Sequence, residues 1–359
     1  MAGLVVAARA RELGSSVLVH EKGSRPGGSM LLSSCVVWRY REWEAFRAEC
    51  PGGDETLQRL VWERLDDALG WLESLGATPV ERETGNPRTV GFRFDPEAIT
   101  DVLTRAAGEI QLETPLRDDA AGPLVLATGG FQGAPGLVQR FIRPGGPLLL
   151  RANPWSTGDG LALGVERGAA LSSGLDEFYG RAMPAPPARI GEGGFVRLAQ
   201  LYGRYALVVD ESGHDVDVEG ISWSETDLVQ AIARLPGARA WYLLDEPSLR
   251  VRVRERTVAE MVEEAGEAGG EIVLAAELPF ELPDAYRYAV HVQAAITHTI
   301  GGLRVDDRAR VLRDDGSSIE ALYAAGVDAG GISTGGYASG LATALVLGLV
   351  AAEEAAAVG

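Results

Sequence analysis

The chain has 359 residues, 46% of them hydrophobic and 23% charged, with a formal net charge of −18. That length accommodates two domains at roughly 100–200 residues each, and the acidic surplus is spread along the chain, which argues against a nucleic-acid or anionic-membrane surface. Two cysteines, Cys35 and Cys50, form no CxxC pair, and the four histidines (His20, His214, His291, His298) leave little material for zinc, so no metal and a reducing cytoplasm are expected.

In chain order, Leu4, Val5, Ala8 and Leu13 follow helical spacing, and Gly14 is placed to stop that helix. Residues 16–20 (S-V-L-V-H) form a short apolar strand ended by Glu21, and a Gly-rich loop runs to Met30. Glu55 to Leu75 is an amphipathic helix with Trp62, Leu65, Leu69 and Leu72 on one face. Pro96 to Gly108 is another, capped by Asp95. Trp38, Trp43, Trp62 and Trp71 sit among helix formers and suit packing. Pro123 to Ala127 is a buried strand running into T-G-G-F-Q-G, and the loop Asn153 to Gly160 opens a helix ending near Gly168.

Residues 175–200 hold many Pro and Gly and no clear period. A strand at Tyr205 to Asp210, a turn at Glu211 to Gly213 and helices near 225–234 and 257–268 follow. From Ile296 the Gly-rich style returns, with a hairpin, the strand A-L-Y-A-A-G and a final helix from Gly340. Its apolar stretch, Gly340 to Ala352, is expected to be too short to cross a bilayer. No basic region followed by a long apolar core marks a secretory signal near Met1.

Dinucleotide sites need a strand, a Gly-rich turn, a helix whose N-terminus faces the pyrophosphate, and an acid after the second strand. Gly3 stands at the start of the first helix, and Glu21 follows about 20 residues on, as a ribose-binding acid should. The first strand and first two glycines have no counterpart, so the chain is expected to begin partway through the fingerprint.

Five segments then occur in a telling order: Glu21 with Gly27-Gly28-Ser29, A-T-G-G-F at Ala127 to Phe131, T-G-D-G at Thr157 to Gly160, H-T-I-G-G-L-R-V-D at His298 to Asp306, and L-Y-A-A-G-V-D-A-G-G at Leu322 to Gly331. Together they resemble the FAD-dependent fumarate reductase and succinate dehydrogenase flavoprotein superfamily, in the soluble branch with tricarballylate and 3-ketosteroid dehydrogenases. The resemblance implies non-covalent FAD, because covalent members carry a histidine just after the first Gly-rich loop and Gly28-Ser29-Met30-Leu31 has none. Backbone at Gly27, Gly28, Gly129 and Gly130 would approach the cofactor, with Asp159 and Asp328 near the flavin or its ribityl chain. Gly340 and Leu341, opening the last helix, would face the flavin's pyrimidine end and favour its reduced anion.

The dicarboxylate clamp of fumarate reductases has no match. The family's proton-delivering arginine follows a segment that corresponds to residues 213–219, and Trp223 takes its place. Its substrate histidine maps to Thr297, and its C-terminal arginine maps near Tyr337. Tyr337 in G-G-Y-A-S-G resembles the tyrosine with which ketosteroid dehydrogenases polarise a carbonyl, and His298 is the second catalytic candidate. Arg181, Arg197 and Arg204 are other cations that could meet an anion.

The expected fold is α/β, a Rossmann-like FAD-binding domain from 1–171 and 291–359 with an inserted α+β capping domain at 172–290. The expected function is FAD-dependent oxidoreduction of a CH–CH bond next to a carbonyl, on a small-molecule substrate with an unspecified electron partner. The alternative is a remnant that binds flavin weakly or is inactive.

Overall fold

The computed structural model describes residues 1–115, 122–216 and 218–358. Its first half contains α1 (Ala2–Glu12), β1 (Val19–His20), β2 (Val36–Tyr40), α2 (Trp43–Glu49), α3 (Glu55–Ser74), β3 (Thr89–Arg93), α4 (Pro96–Ala107), β4 (Ile110–Gln111), β5 (Leu124–Leu126), α5 (Pro135–Phe141), β6 (Leu149–Leu150) and α6 (Asp159–Glu166). The second half holds β7 (Phe178–Pro184), β8 (Leu207–Val209), α7 (Thr226–Arg234), β9 (Arg239–Leu244), α8 (Glu246–Leu249), β10 (Arg252–Val253), β11 (Arg256–Thr257), α9 (Val258–Glu267), β12 (Ile272–Leu274), β13 (Tyr288–Thr299), β14 (Arg310–Leu312), β15 (Ser318–Ala324) and α10 (Gly340–Val358).

Local chemistry sets the main boundaries. The Asp54 and Asp95 carboxylates accept from Leu57 N at 3.1 Å and Ala98 N at 2.8 Å, capping α3 and α4. Thr257 and Glu260 form a reciprocal capping box on α9. Gly14, at φ +88°, takes the left-handed conformation just beyond α1.

The chain divides into two compact units. The first comprises residues 1–137, 152–177 and 298–359, the second 138–151 and 178–297. In the first unit α1, α3, α4 and α10 share a core of Leu4, Val5, Val61, Leu65, Leu69, Leu72, Leu103, Leu345 and Leu349. Each fully buried Leu stabilises the unit by about 1.5–3 kcal/mol. A Cβ on Gly348 would sit 2.9 Å from Val5 Cγ1, so the glycine lets α10 approach α1. Parallel pairs β1–β4 and β5–β15 supply the α/β character, with β14 antiparallel on β15 and β2 antiparallel to β3. Among the described residues no ladder joins the two parallel pairs, so the sheet of this Rossmann-like unit is in pieces.

In the second unit β13 is the central strand. It pairs antiparallel with β12 and β9 and parallel with β6, and β8 extends the sheet beyond β9.

Several expectations change. The segment 178–184 is a strand, despite its setting among Pro and Gly, because it pairs with β13. A boundary at 290 would cut β13, a strand with every residue from Ala289 to Ile296 buried. A strand covered on both faces shows no period of two, which hides it in sequence. Trp38 lies on β2 rather than a helix. The final helix is long and apolar enough to cross a membrane by length and composition, not too short as expected. Residues 342–352 of it are buried in the first unit, which accounts for its apolarity.

Candidate functional site

Leaving β5, the chain turns through Thr128, Gly129 and Gly130, the last two at φ +89° and +86°. Asp328, only 2% exposed, lies beneath. Its carboxylate accepts from Thr128 N, from Thr128 Oγ1 at 3.0 Å and from Gly129 N at 3.2 Å. Burial pushes this carboxyl up from its ordinary value, against the pull of those donors. Thr128 Oγ1 in turn accepts from Gly160 N at 3.1 Å, tying the turn to the start of α6. Asp328 is thus a clasp under the turn.

The paired glycines of two motifs explain each other. Leu303 N donates to Asp328 O at 2.7 Å and Gly330 N to Leu303 O at 3.0 Å, so residues 301–303 run against 328–331. A Cβ on Gly330 would strike the Gly302 amide nitrogen, and one on Gly302 would lie 2.6 Å from Asp328 O. Only glycine permits backbones this close.

Glu21 ends β1, and its Oε1 accepts from Gly23 N at 2.7 Å. Lys22, which sequence reasoning passed over, donates to Thr157 Oγ1 at 2.5 Å and pairs with Asp159 at 2.8 Å. A Cβ on Gly23 would meet the Trp155 ring at 2.6 Å. Asn153, 5% exposed, donates through Nδ2 to Ser29 Oγ at 2.8 Å, and its Oδ1 accepts from Trp155 N and Ser156 N. Gly27 and Gly28 have φ +104° and +54°. The structure therefore brings together the 21–29 loop, the 128–130 turn and the 153–160 loop. Gly3 faces the same turn, since its Cβ would stand 3.5 Å from Ala127 Cβ.

His298 Nδ1 lies 3.1 Å from Thr299 O. A carbonyl only accepts, so Nδ1 is assigned the proton. Nε2 faces the start of α10, where a Cβ on Gly340 would be 3.1 Å away. Gly340 and Leu341 open this 19-residue helix, and their N–H groups have no intrahelical partner. Ser339 Oγ accepts from Ala342 N at 3.2 Å. Tyr337 precedes the helix on an aromatic bed. Its carbonyl accepts from Tyr40 Oη at 2.6 Å, and its ring meets Trp38 edge to face at 5.3 Å.

In the second unit the Thr297 hydroxyl accepts from Arg151 Nη1 at 2.9 Å, and Arg151 Nε donates to Phe195 O at 2.7 Å. Arg151 is a cation that sequence comparison did not track. Arg181 is buried and bonded to Ser224 O, Arg197 pairs with Glu264 and Glu267, and Arg204 lies over Tyr205. Trp223 is half-buried, and Asp217 lies outside the described residues. Among the described residues no group of three or more His, Cys, Asp or Glu is arranged to hold a metal ion.

An acid at a strand end, Gly turns without side chains and an open helix start on one α/β unit define a dinucleotide-cofactor oxidoreductase. The chain belongs to the FAD binding domain family, which it matches over residues 95–342. It is 23% identical over 440 positions to a probable fumarate reductase, Ifc3, of Shewanella frigidimarina, across 99% of this chain and 73% of that protein. In fold it is similar to the open conformation of a flavocytochrome c3 fumarate reductase, with TM-score 0.71, 21% identity, and coverage of 99% and 76% of the two chains. It is also similar to a 3-ketosteroid Δ1-dehydrogenase of Sterolibacterium denitrificans, with TM-score 0.73, 16% identity, and coverage of 99% and 98%.

FAD is the cofactor of this family, and the residues present fit it. Gly129 and Gly130 leave bare backbone, and the buried oxygens Gln132 Oε1 and Thr299 Oγ1 beside Gly130 have no hydrogen-bond partner among the described residues. Such polar atoms are otherwise costly. Glu21→Ala is expected to weaken FAD binding by about 1.5–3 kcal/mol, the scale of a charge-assisted hydrogen bond. Equilibrium titration of the apoprotein followed by flavin fluorescence checks this, and an unchanged affinity removes Glu21 from the site.

Proposed function

We propose that the protein adds or removes two hydrogens across a C–C bond beside an activating carbonyl, with non-covalent FAD held by Gly3, Glu21, Gly27, Gly28, Ser29, Gly129, Gly130, Asp159, Gly340 and Leu341. Bound FAD supplies the hydride acceptor or donor. The observation that carries the reading is Tyr337, uncharged and seated on Trp38 and Tyr40 just before α10. A phenol there can donate one hydrogen bond to a carbonyl oxygen, which gains negative charge as the adjacent C–H bond breaks. His298 holds its Nδ1 proton on Thr299 O and turns Nε2 toward the helix start. A proton on Nε2 is held best when negative charge faces that helix end.

A small dicarboxylate suits this setting poorly, since two buried charges would need cationic partners. A single carbonyl oxygen needs only one polarising hydrogen bond, which Tyr337 can supply. The test is anaerobic mixing of FAD-loaded protein with succinate, tricarballylate and a 3-ketosteroid, following loss of flavin absorbance. Reduction by the ketone, slowed about 10²–10³-fold in Tyr337→Phe, is expected. Rapid reduction by succinate, unaffected by Tyr337→Phe, would replace the ketone reading with a dicarboxylate one.

A further inference from the structure

Between Asp328 and Gly340 the loop that carries Tyr337 forms no helix or strand, and a buried amide holds its base. Gln58 lies on the buried face of α3 with Val61, Leu65, Leu69 and Leu72, and it is itself fully buried. Its Nε2 donates to Ile332 O at 2.7 Å and to Cys50 O at 2.9 Å, and its Oε1 accepts from Arg47 Nη1. Arg47 Nη1 also donates to Gly53 O at 3.0 Å. A guanidinium only donates and a carbonyl only accepts, so one orientation of the amide satisfies all three partners. Gly53 makes this reach possible, because a Cβ there would fall 2.0 Å from Gln58 Nε2 and 2.3 Å from Ile332 O.

Packing does not account for this residue. A leucine would fill a similar volume on that face and bring no polar atoms inside, whereas a buried amide is costly unless its partners are in place. What its partners fix is the path of the main chain five residues before Tyr337. The rest of the loop is held by Asp54 N donating to Gly331 O at 2.8 Å, Gly335 N to Glu177 Oε2 at 2.7 Å and Tyr40 Oη to Tyr337 O at 2.6 Å. The Gln58 amide ties the loop to α3 and, through Arg47, to α2.

We propose that Gln58 is a positioning residue for Tyr337. By holding Ile332 O it sets where the phenol stands when a substrate carbonyl arrives, and Arg47 fixes which way the amide faces. This rests on the role proposed above for Tyr337. A donor aimed at a developing oxyanion loses its value when it is displaced, and a shift of about 1 Å costs on the order of 10²-fold in rate.

The experiment compares wild type, Gln58→Leu, Gln58→Glu, Tyr337→Phe and the double variant Gln58→Leu with Tyr337→Phe. Gln58→Leu deletes the donors. Gln58→Glu keeps the size and the bond to Arg47 but turns an acceptor toward Ile332 O, so it reads the donor at constant volume. Hydrogen exchange of the full chain, with and without FAD, should quicken at residues 332–337 in both Gln58 variants and stay unchanged in α1 and α4. In anaerobic mixing of the FAD-loaded protein with a 3-ketosteroid, both variants should slow flavin reduction at saturation by roughly 10–10²-fold. The half-saturating concentration should stay near that of wild type. In the Tyr337→Phe background Gln58→Leu should cost little more, because a displaced phenyl ring loses no hydrogen bond. Unchanged exchange at 332–337 in both Gln58 variants overturns the positioning role alone, whatever the substrate. Equal losses of rate in the two backgrounds also overturn it, and make Gln58 a stabilising residue only. A flavin that the ketosteroid does not reduce, or reduces equally fast in Tyr337→Phe, overturns the reading of Tyr337 and the positioning role with it.

Discussion

Asp328→Ala is expected to lower unfolding free energy by on the order of 3 kcal/mol and to remove stoichiometric FAD from the purified protein. Its carboxylate accepts from Thr128 N, Thr128 Oγ1 and Gly129 N under the turn that presents backbone to the cofactor. Each buried donor left without an acceptor costs about 1–3 kcal/mol, and water entering the gap recovers part of that. Asp328→Asn should be nearly as damaging, because an amide Nδ2 would confront a main-chain N–H.

Both variants also differ from wild type in their pH dependence. Burial holds the Asp328 carboxyl above its ordinary value, so between the unfolded value of about 3.9 and the raised folded value the folded state binds more protons than the unfolded one. Its contribution to stability is full below the unfolded value and declines as pH rises through the folded one. Neither variant carries that decline, so their deficit relative to wild type should shrink as pH rises through this window. Urea midpoints measured across it check the sign, and a deficit that grows with pH would show that Asp328 is held in its charged form.

Gly330→Ala is expected to be the more severe change, at about 3 kcal/mol or more. The new Cβ would strike the Gly302 amide nitrogen and Ser172 Oγ, with the Gly301 carbonyl carbon 2.6 Å away. Two of these are backbone atoms with no rotamer to change. Relief requires parting residues 301–303 from 328–331, which breaks Leu303 N to Asp328 O and Gly330 N to Leu303 O and withdraws Asp328 from its turn. Gly316→Ala is the control for a surface glycine, because nothing lies within 4 Å of its Cβ, although its φ of +83° adds local strain. Soluble yield and thermal midpoint compare them. Equal losses at both positions would mean that backbone strain, not the crossing, sets the cost.

Helices and nucleotide motifs were legible in the sequence because their determinants are local. Asp54 and Asp95 cap the helices they precede, an apolar stripe at helical spacing marks α3, and the T-G-G and G-G pairs mark turns where a side chain cannot fit. Glu21 after a short strand likewise needs only its neighbours to be noticed.

What tertiary structure decided depends on partners distant in sequence. Strands β7 and β9 exist because each pairs with β13, far along the chain, and a strand buried on both faces carries no alternation to betray it. The role of Asp328 was hidden for the same reason. It stands in a motif expected near the flavin, but its donors lie 200 residues away at Thr128 and Gly129. Lys22 and Arg151 were passed over because a cation has no meaning until its partner is placed, here Asp159 and Thr297. Local propensity and steric exclusion are properties of a few consecutive residues, whereas pairing, burial and charge compensation belong to the folded chain.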